Sequence, residues 1–304
     1  MKKLLITGAS GFLGWHLCQL ASKDWEVYGT YFSHEINIPG VKTLKVNLGD
    51  FSQLQGMFDN LTPDAVIHTA AVSKPNFCQT HSQESYAINV EVSCNIAGLC
   101  ADKIIPCIFT STDLVFDGLN APYKETDPVS PVNIYGEHKV LAENGMLERY
   151  PQTVICRMPL MFGNATPTAS SFLQPFLEKL QSGEKINLFT DELRTPVSGV
   201  TAAKGLLLVL NLVLNSVLNS VQNKGISNII HLGGKEKRSR YEFGLLLAEI
   251  FNISPSLINP CLQQDVKMAA PRPHDVSMDS SKAFDLGYSP LSLHEELHQI
   301  KDSQ

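Results

Sequence analysis

The amino-acid sequence predicts an α/β protein in which helices cover both faces of a doubly wound parallel sheet, while the C-terminal part adds a smaller lobe. Three observations predict this class. Short apolar runs alternate with helical stretches as far as Arg157, a glycine-spaced turn directly follows the first apolar run, and prolines and polar turns break the alternation beyond Arg157. Strands that alternate with helices form parallel sheets because each connecting helix must cross a face of the sheet.

The predicted elements follow one another in that order. Strands are predicted at 3–7, 26–31, 43–46, 65–69, 104–110 and 153–156, and helices at 12–22, 51–60, 84–101 and 133–149. The first helix places Leu13, Leu17 and Leu20 on one stripe, which is typical of a helix packed against a core. In such a sheet, ligands bind beyond the carboxyl ends of the strands.

The second half of the chain has a weaker pattern. Residues 161–304 are predicted to form mainly the smaller, substrate-binding lobe, with segments near 186–232 returning to the sheet. Asparagine and serine interrupt the apolar stretch 205–221, so we expect a packed helix there rather than a membrane span. A strand at 228–232 and a helix at 241–251 are expected to follow.

Composition limits the possible functions. The chain has 304 residues, of which 43% are hydrophobic, and this is enough for a large core. Its net charge of -6 gives no general attraction to nucleic acid or to anionic membranes. Gly8 and Gly11 interrupt the apolar N-terminal run, so we predict no signal peptide and a cytoplasmic protein. The seven cysteines include no C-x-x-C pair and are expected to be reduced thiols.

The turn Gly8-Ala9-Ser10-Gly11-Phe12-Leu13-Gly14 lies between the first strand and the first helix. Gly8 permits a tight turn, Gly11 lets the backbone approach a pyrophosphate, and Gly14 allows the helix to pack closely. The N-terminus of the helix then faces the anion. This order of strand, glycines and helix predicts a Rossmann-type domain that binds NAD(P) over residues 1–160.

Tyr135 and Lys139 stand four residues apart in a predicted helix, so their side chains share one face. An ammonium group beside a phenol favours the ionised phenol, which would lower the pKa of the tyrosine from about 10 towards a range useful for proton transfer. Any helix can carry this pair by chance. Together with the glycine turn, however, the pair predicts proton transfer beside a dinucleotide.

The residues after the second strand bear on the choice of cofactor. An NAD site commonly has an acid here to bind the ribose 2′-hydroxyl, but this strand ends in Tyr31-Phe32-Ser33-His34. Ser33 and His34 could donate hydrogen bonds to a 2′-phosphate. We therefore favour NADP(H), while NAD(H) stays possible because the expected arginine is missing and Glu35 lies close by.

The G-x-x-G-x-x-G spacing resembles that of extended short-chain dehydrogenases/reductases, and other segments are similar to that family. They are Val66-Ile67-His68-Thr69-Ala70-Ala71, Ala87-Ile88-Asn89-Val90 and Phe109-Thr110-Ser111-Thr112-Asp113. The resemblance implies a catalytic set of Thr112, Tyr135 and Lys139. It also implies cofactor contacts from Gly8, Ser10, Gly11, Phe12, Leu13, Gly14, Ser33, His34, Asn47, Leu48, Ala70, Ala71, Asn89, Tyr135, Lys139 and Pro159.

The segment Ser111-Thr112-Asp113-Leu114-Val115-Phe116-Asp117-Gly118 resembles the branch of dTDP-4-dehydrorhamnose reductases, which usually have Tyr where this chain has Leu114. The segments 157–163, 191–197 and 272–278 are also similar to that branch. The resemblance implies reduction of a nucleotide-linked 4-keto-6-deoxysugar. The implied substrate contacts are Asp113, Val115, Phe116, Arg194 and Arg272, with the two arginines on phosphate; Asp113 either caps a turn or binds the sugar.

Two other functions stay open at this point. The regulatory β subunit of methionine adenosyltransferase is similar in the same segments, which implies an NADP-binding subunit without turnover as one alternative. The other alternative is a sugar-nucleotide epimerase or dehydratase, because the glycine turn resembles that of epimerases. The sequence also leaves open a homodimer or a complex with a partner enzyme subunit.

One further motif points to a metal. His294-Glu295-Glu296-Leu297-His298 matches H-E-x-x-H, which places two imidazoles one helical turn apart. Only six residues follow His298, so the usual third ligand downstream is missing. Ser292 and Glu295 instead form a capping-box pattern. We therefore predict an ordinary terminal helix and no metal site.

Overall fold

The central sheet of the computed structural model has seven strands, in the order β11-β6-β5-β4-β1-β2-β3, and all of its neighbouring strands are parallel. The structure describes residues 1–218 and 228–303. The strands are β1 (Lys3–Thr7), β2 (Glu26–Tyr31), β3 (Val41–Lys45), β4 (Ala65–His68), β5 (Cys107–Thr112), β6 (Val154–Met158), β7 (Met161–Phe162), β8 (Ile186–Phe189), β9 (Leu193–Arg194), β10 (Val197–Ser198), β11 (Ile229–His231), β12 (Arg238–Ser239) and β13 (Ile258–Cys261).

Helices cover both faces of the sheet. They are α1 (Phe12–Ala21), α2 (Phe51–Leu61), α3 (Pro75–Thr80), α4 (Ser82–Tyr86), α5 (Val92–Lys103), α6 (Ile134–Arg149), α7 (Leu173–Gln181), α8 (Gly199–Leu218), α9 (Arg240–Ile250), α10 (Ser281–Asp285) and α11 (Leu293–Asp302). A π-helical turn at Ala87–Glu91 joins α4 to α5, and short 3₁₀ turns lie at Asp113–Val115, Pro255–Leu257 and Gln263–Asp265.

The alternation of side chains along β1 shows how the two layers form. Leu4 and Ile6 pack in the core shared with α1 and α8, while Leu5 packs on the opposite face in the core shared with α2, α5 and α6. Successive side chains of a strand point to opposite faces, so an apolar residue at every position is buried only where both faces are covered. The predicted doubly wound fold is confirmed.

The smaller lobe has its own core, built from α7, α9, α11, β8 and β13. β8 and β13 pair in parallel as a separate two-stranded sheet. The prediction that segments near 186–232 return to the central sheet is therefore wrong for 186–189, since Ile186 and Leu188 are buried in the lobe's core. β11 does join the central sheet, beside β6.

Two predicted helices differ in their limits. The helix expected at 205–221 begins at Gly199 and is described to Leu218, and its last three predicted residues lie outside the described residues. Within 1–218 and 228–303, no helix is long and apolar enough to cross a membrane. The helix expected at 84–101 is interrupted by the π-helical turn around Asn89, whose side-chain amide bonds both the N–H and the C=O of Val72.

The start of α6 is fixed against the end of β5. Asn133 caps the helix by accepting a hydrogen bond from the Gly136 N–H at 2.9 Å. A Cβ on Gly136 would lie 2.3 Å from the Leu114 carbonyl oxygen, so only glycine allows the helix to approach the turn after β5 this closely. This close packing brings the first turn of α6 beside Thr112.

Candidate active site

A cavity of about 480 Å³ opens at the carboxyl ends of the central strands. It is lined by most of the residues predicted to contact the cofactor, namely Gly8, Ser10, Gly11, Phe12, Leu13, Gly14, Ser33, Asn47, Leu48, Ala70, Ala71, Tyr135 and Lys139. Three predicted contacts lie elsewhere. His34 is exposed and does not line this cavity, and Pro159 lines a second cavity. Asn89 is buried and is linked to the first cavity only by its hydrogen bonds to Val72.

The glycine turn has the shape that a dinucleotide requires. Gly8 has a φ of +74°, and a Cβ there would lie 2.7 Å from the Ala70 Cα. A Cβ on Gly14 would lie 2.2 Å from the Gly8 carbonyl oxygen. The N-cap residue of α1 is Gly11, which has no side chain to cover the helix N-terminus. These residues fit a nicotinamide dinucleotide, whose pyrophosphate binds at such a helix N-terminus.

A second cavity, of about 600 Å³, continues from the first towards the smaller lobe. Six residues line both cavities, and they are Phe12, Ser73, Ser111, Tyr135, Met158 and Met161. Tyr135 therefore stands where the two cavities meet. A group in the cofactor cavity and a group in the second cavity would approach each other beside its phenol.

The three predicted catalytic side chains come together at this junction. Thr112, at the end of β5, accepts a hydrogen bond from the Leu114 N–H at 3.2 Å and donates one to Asp113 Oδ1 at 3.1 Å. Tyr135 lies in the first turn of α6, and Lys139 follows one turn later. Lys139 Nζ donates to the Thr110 carbonyl at 2.6 Å and lies 4.1 Å from the centre of the Phe109 ring.

The expected electrostatic effect of Lys139 on Tyr135 is not what the structure shows. Burial raises the pKa of the Tyr135 phenol, Asp113 raises it further, and a hydrogen bond with Thr112 offsets only part of the rise. Burial also lowers the pKa of Lys139 to about 7, although Glu143 partly opposes that shift. Desolvation disfavours the charged forms of both groups, so the phenol stays protonated and is a weaker acid than a free tyrosine.

A network of buried charges borders the second cavity. Arg194 contacts Asp113 at 2.9 Å and Glu192 at 3.3 Å, and Arg240 contacts Glu192 at 3.1 Å. Burial raises the pKa of the Asp113 carboxyl, and Arg194 offsets only part of that rise. Burial alone would raise the pKa of Glu192 too, but Arg240 and Arg194 together hold it below its usual value.

This network adds a structural role for Arg194 to the predicted one. Its guanidinium is engaged by two carboxylates, so it holds Asp113 in place, and Arg194 also lines the second cavity. Arg240 and Arg272 also line the second cavity, and both are more exposed than Arg194. Asp113 Oδ2 is buried with no hydrogen-bond partner among the described residues, which leaves one oxygen beside the cavity for a ligand.

Val115 and Phe116 were predicted to contact substrate, and the structure places them elsewhere. Both are fully buried in a small core with Tyr123, Val276 and Met278. The Phe116 ring stacks on Tyr123 with their centroids 4.1 Å apart. They line neither cavity, because the 3₁₀ turn after Thr112 directs these apolar side chains into the core.

Sequence reasoning missed a second buried group at the junction. The Ser111 hydroxyl donates to Glu143, and Arg157 holds that carboxylate through contacts of 3.1 and 2.8 Å. Glu143 lies one turn beyond Lys139, on the same stripe of α6 as the catalytic pair. The four-residue spacing between Lys139 and Glu143 could have predicted that Glu143 lies on the same face of the helix.

The H-E-x-x-H segment forms part of α11. Glu295 completes a capping box with Ser292. Glu296 is buried and accepts hydrogen bonds from the Ser198 N–H at 2.7 Å and from the Thr201 hydroxyl, so it fixes the start of α8. Across 1–218 and 228–303, no cluster of three or more His, Cys, Asp or Glu side chains is placed to hold a metal ion.

Comparison with known proteins identifies the family. The RmlD substrate binding domain family matches residues 1–303. The chain belongs to this family. The resemblance to extended short-chain dehydrogenases/reductases of the dTDP-4-dehydrorhamnose reductase branch is thereby confirmed.

The similar proteins include a regulatory subunit and reductases, and an epimerase and a dehydratase share the fold. The chain is 27% identical to methionine adenosyltransferase 2 subunit beta of Danio rerio, over 95% of this chain and 86% of that protein. A hypothetical dTDP-4-dehydrorhamnose reductase from Sulfolobus tokodaii is 31% identical, with a TM-score of 0.81 over 96% of this chain and 98% of that one. The dTDP-4-dehydrorhamnose reductase from Bacillus anthracis, solved with NADP, is 21% identical with a TM-score of 0.85 over all of both chains and shows the same fold.

Proposed function

We propose that the protein is a nicotinamide-dependent reductase of a nucleotide-linked 4-keto-6-deoxysugar, with dTDP-4-dehydrorhamnose as the leading substrate. The observation that carries the proposal is the position of Tyr135, which lines both the cofactor cavity and the second cavity. Its phenol is protonated at neutral pH, and burial raises its pKa further. A proton donor at this junction serves a reduction, and a protein that only binds the dinucleotide does not require one.

The chemistry follows from the placement of three side chains. A bound reduced nicotinamide supplies a hydride to the ketone carbon, which becomes an alcohol carbon once the carbonyl oxygen gains a proton. Tyr135 donates that proton, and Thr112 would turn its hydroxyl proton from Asp113 Oδ1 to the same oxygen and stabilise the charge that develops on it. Lys139 would bind the ribose of the cofactor and, when charged, would stabilise the phenolate that remains after Tyr135 has donated its proton.

The second cavity offers groups suited to the rest of a sugar nucleotide. Asp113 Oδ2 accepts a hydrogen bond from a sugar hydroxyl, because this oxygen is the unpartnered one. Arg240 and Arg272 supply positive charge for the diphosphate. Aromatic rings in the same cavity offer surfaces for a nucleobase, and they are Phe176, Phe189 and Phe172, of which Phe172 has Arg240 over one face.

The cofactor is proposed to be NADP(H), with NAD(H) as the alternative. Ser33 lines the cavity at the end of β2, and its hydroxyl is bonded to His34 at 2.9 Å. Both can donate to a 2′-phosphate after a side-chain rotation. Solved structures of similar fold contain NADP or NAD, so they support a nicotinamide dinucleotide in either form.

A regulatory function is the second candidate. It is favoured by the similarity to methionine adenosyltransferase 2 subunit beta, which covers most of both chains. In that case the protein would bind NADP and associate with the catalytic subunit of another enzyme without reducing a sugar. An epimerase or dehydratase, which returns the hydride to the sugar, is a third candidate.

Incubation of the protein with NADPH or NADH and a panel of nucleotide 4-keto sugars separates these candidates. Loss of the absorbance of reduced nicotinamide supports the reductase. Cofactor binding without oxidation, together with a stable complex with another enzyme's catalytic subunit, supports the regulatory function. Conversion of sugar without net oxidation supports an epimerase.

Two tyrosine variants show whether any turnover arises at the proposed site. Tyr135→Phe should lower turnover by about 10²–10⁴-fold, the range for loss of a positioned acid. Tyr150→Phe is the matched control, because Tyr150 is also buried but lies at the far end of α6 and bonds Gln152. Equal turnover in the two variants would remove Tyr135 from the mechanism.

A further inference from the structure

His68, the last residue of β4, is fully buried and lines neither cavity. Its imidazole nevertheless makes two hydrogen bonds to side chains on different elements. Nδ1 lies 2.6 Å from the Thr7 hydroxyl at the end of β1, and Nε2 lies 3.0 Å from the Ser93 hydroxyl in α5. Such a buried bridge immediately before a cofactor-lining turn has no part in the chemistry described above.

The neighbours of the two hydroxyls fix the direction of every hydrogen bond. Thr7 Oγ1 accepts bonds from the backbone N–H groups of Thr69 at 3.2 Å and Ala70 at 3.3 Å, so its own proton is donated to His68 Nδ1. Nδ1 is therefore an acceptor, and the ring proton of the neutral imidazole lies on Nε2. Nε2–H donates to Ser93, whose hydroxyl donates to the Asn89 carbonyl at 2.8 Å.

Both ends of this hydrogen-bond chain meet the same segment, residues 69–72. At one end, Thr7 holds the N–H groups of Thr69 and Ala70. At the other end, Asn89 bonds the N–H of Val72 at 2.8 Å and its C=O at 3.0 Å. All four residues of the segment line the cofactor cavity. The segment also packs against the glycine turn, since a Cβ on Gly8 would lie 2.7 Å from the Ala70 Cα.

We propose that His68, as the neutral Nε2–H tautomer, is a positioning residue that holds segment 69–72 and the glycine turn in the shape that binds the nicotinamide dinucleotide. The inference rests on the proposed function only as far as cofactor binding, and it does not depend on which sugar is reduced. His68 acts through Thr7 and Ser93 and touches no reacting atom.

The surroundings keep the imidazole neutral. Burial, with a smaller contribution from the charge of Lys139, lowers the pKa of His68 to about 3. The Phe109 ring stacks on the imidazole at a centroid distance of 5.5 Å and has Lys139 Nζ 4.1 Å from its centre. A protonated His68 would also leave the Thr7 hydroxyl proton without its acceptor. His68 therefore acts by orienting its neighbours and not by gaining or losing a proton.

Two substitutions at His68 separate the two ends of the chain. His68→Leu removes both hydrogen bonds, whereas His68→Asn keeps an amide near the position of Nδ1 for Thr7 and loses the bond to Ser93. We expect His68→Leu to raise the dissociation constant for NADP⁺ by about 10-fold or more, the scale of one lost buried hydrogen bond, and His68→Asn to recover part of that loss. Titration followed by calorimetry gives the constants.

His231 provides the matched control. It is the other fully buried histidine at the end of a central strand, and burial also lowers its pKa to about 3, but it bonds the Asp279 carbonyl and lines neither cavity. His231→Leu should destabilise the fold while leaving NADP⁺ affinity unchanged. Equal weakening of NADP⁺ binding in His231→Leu and His68→Leu would show a general effect of lost stability and overturn the proposal.

A spectroscopic measurement on the unaltered protein tests the tautomer without any substitution. The ¹⁵N chemical shifts of the His68 ring should show a protonated Nε2 and an unprotonated Nδ1 from pH 5 to 9, with and without NADP⁺. The opposite tautomer, or a ring that titrates in this range, would overturn the proposal even if His68→Leu failed to fold. If the ring showed the expected tautomer but the protein bound no dinucleotide, both the cofactor site and the positioning role of His68 would be refuted. If the protein bound the dinucleotide but reduced no sugar, only the proposed reaction would be refuted.

Discussion

Gly14→Ala tests the close approach of α1 to the glycine turn. A Cβ on Gly14 would lie 2.2 Å from the Gly8 carbonyl oxygen, 2.8 Å from the Gly8 carbonyl carbon and 3.0 Å from the Ala9 Cα. All three are backbone atoms of the turn itself, so no flexible side chain can move aside. The helix must shift outward by about 1 Å to restore an ordinary contact, and the turn loses the shape that receives the pyrophosphate.

The size of the effect comes from two opposed contributions. Alanine inside a helix is more favourable than glycine by about 0.5–1 kcal/mol. Overpacking of a rigid contact costs about 1–3 kcal/mol. Gly56→Ala is the matched control, because Gly56 also lies within a helix and its Cβ would have no neighbour within 4 Å. We therefore expect Gly56→Ala to stabilise the protein slightly and Gly14→Ala to destabilise it by about 1–2 kcal/mol.

Urea unfolding gives the two stabilities, and titration with NADP⁺ gives the two affinities. Gly14→Ala should weaken NADP⁺ binding by at least about 10-fold because the cradle itself is displaced. Gly56→Ala should leave the affinity unchanged. If Gly14→Ala were as stable as Gly56→Ala and bound NADP⁺ equally well, the close contact would not exist in solution and the reasoning would be refuted.

Three further predictions concern charge and metal. The pKa of Lys139 is near 10.4 in the unfolded chain, whereas burial lowers it to about 7 in the folded protein. Between these values the unfolded state binds more protons, so Lys139 makes the free energy of unfolding rise with pH by up to about 1.4 kcal/mol per pH unit. Lys139→Met should remove that rise in urea unfolding measured from pH 7 to 9. Arg194→Met leaves the buried Asp113 without its charged partner and Glu192 with Arg240 alone, and should cost about 3–5 kcal/mol, against under about 1 kcal/mol for the more exposed pair lost in Arg238→Met. A His294→Ala, His298→Ala double variant and treatment with EDTA should both leave NADP⁺ binding and turnover unchanged, and loss of either with EDTA would show a required metal.

Much of the fold followed from short-range pattern. The strands, the glycine turn and the spacing of Tyr135 and Lys139 depend on residues within a few positions of one another, so the sequence could reveal them. Thr112 was also predictable, because the turn after a buried strand brings such a residue to the ligand-binding edge of the sheet. The structure places these three side chains together at the junction of the two cavities.

The contacts that could not be predicted join segments that are distant in sequence. β8 pairs with β13, some 70 residues later, and no local pattern distinguished that pairing from a return to the central sheet. Arg194 was expected on phosphate because of its position in the family resemblance, and its buried ion pair with Asp113, which is far away in sequence, could not be predicted from a local pattern. Arg240 could not be predicted as a site residue from the sequence, because it lines the second cavity only through the way the start of α9 packs in the fold.

The most direct test of the account follows the hydride and the proton in one experiment. NADPH that carries deuterium at C4 of the nicotinamide is mixed with dTDP-4-dehydrorhamnose and either the unaltered protein or Tyr135→Phe, and the sugar product is analysed by mass spectrometry. The account predicts one deuterium at C4 of the product sugar for each NADPH oxidised, and a rate about 10²–10⁴-fold lower in Tyr135→Phe. A protein that binds NADPH but transfers no deuterium to any 4-keto sugar nucleotide, or a variant that transfers it at the full rate, would contradict the account.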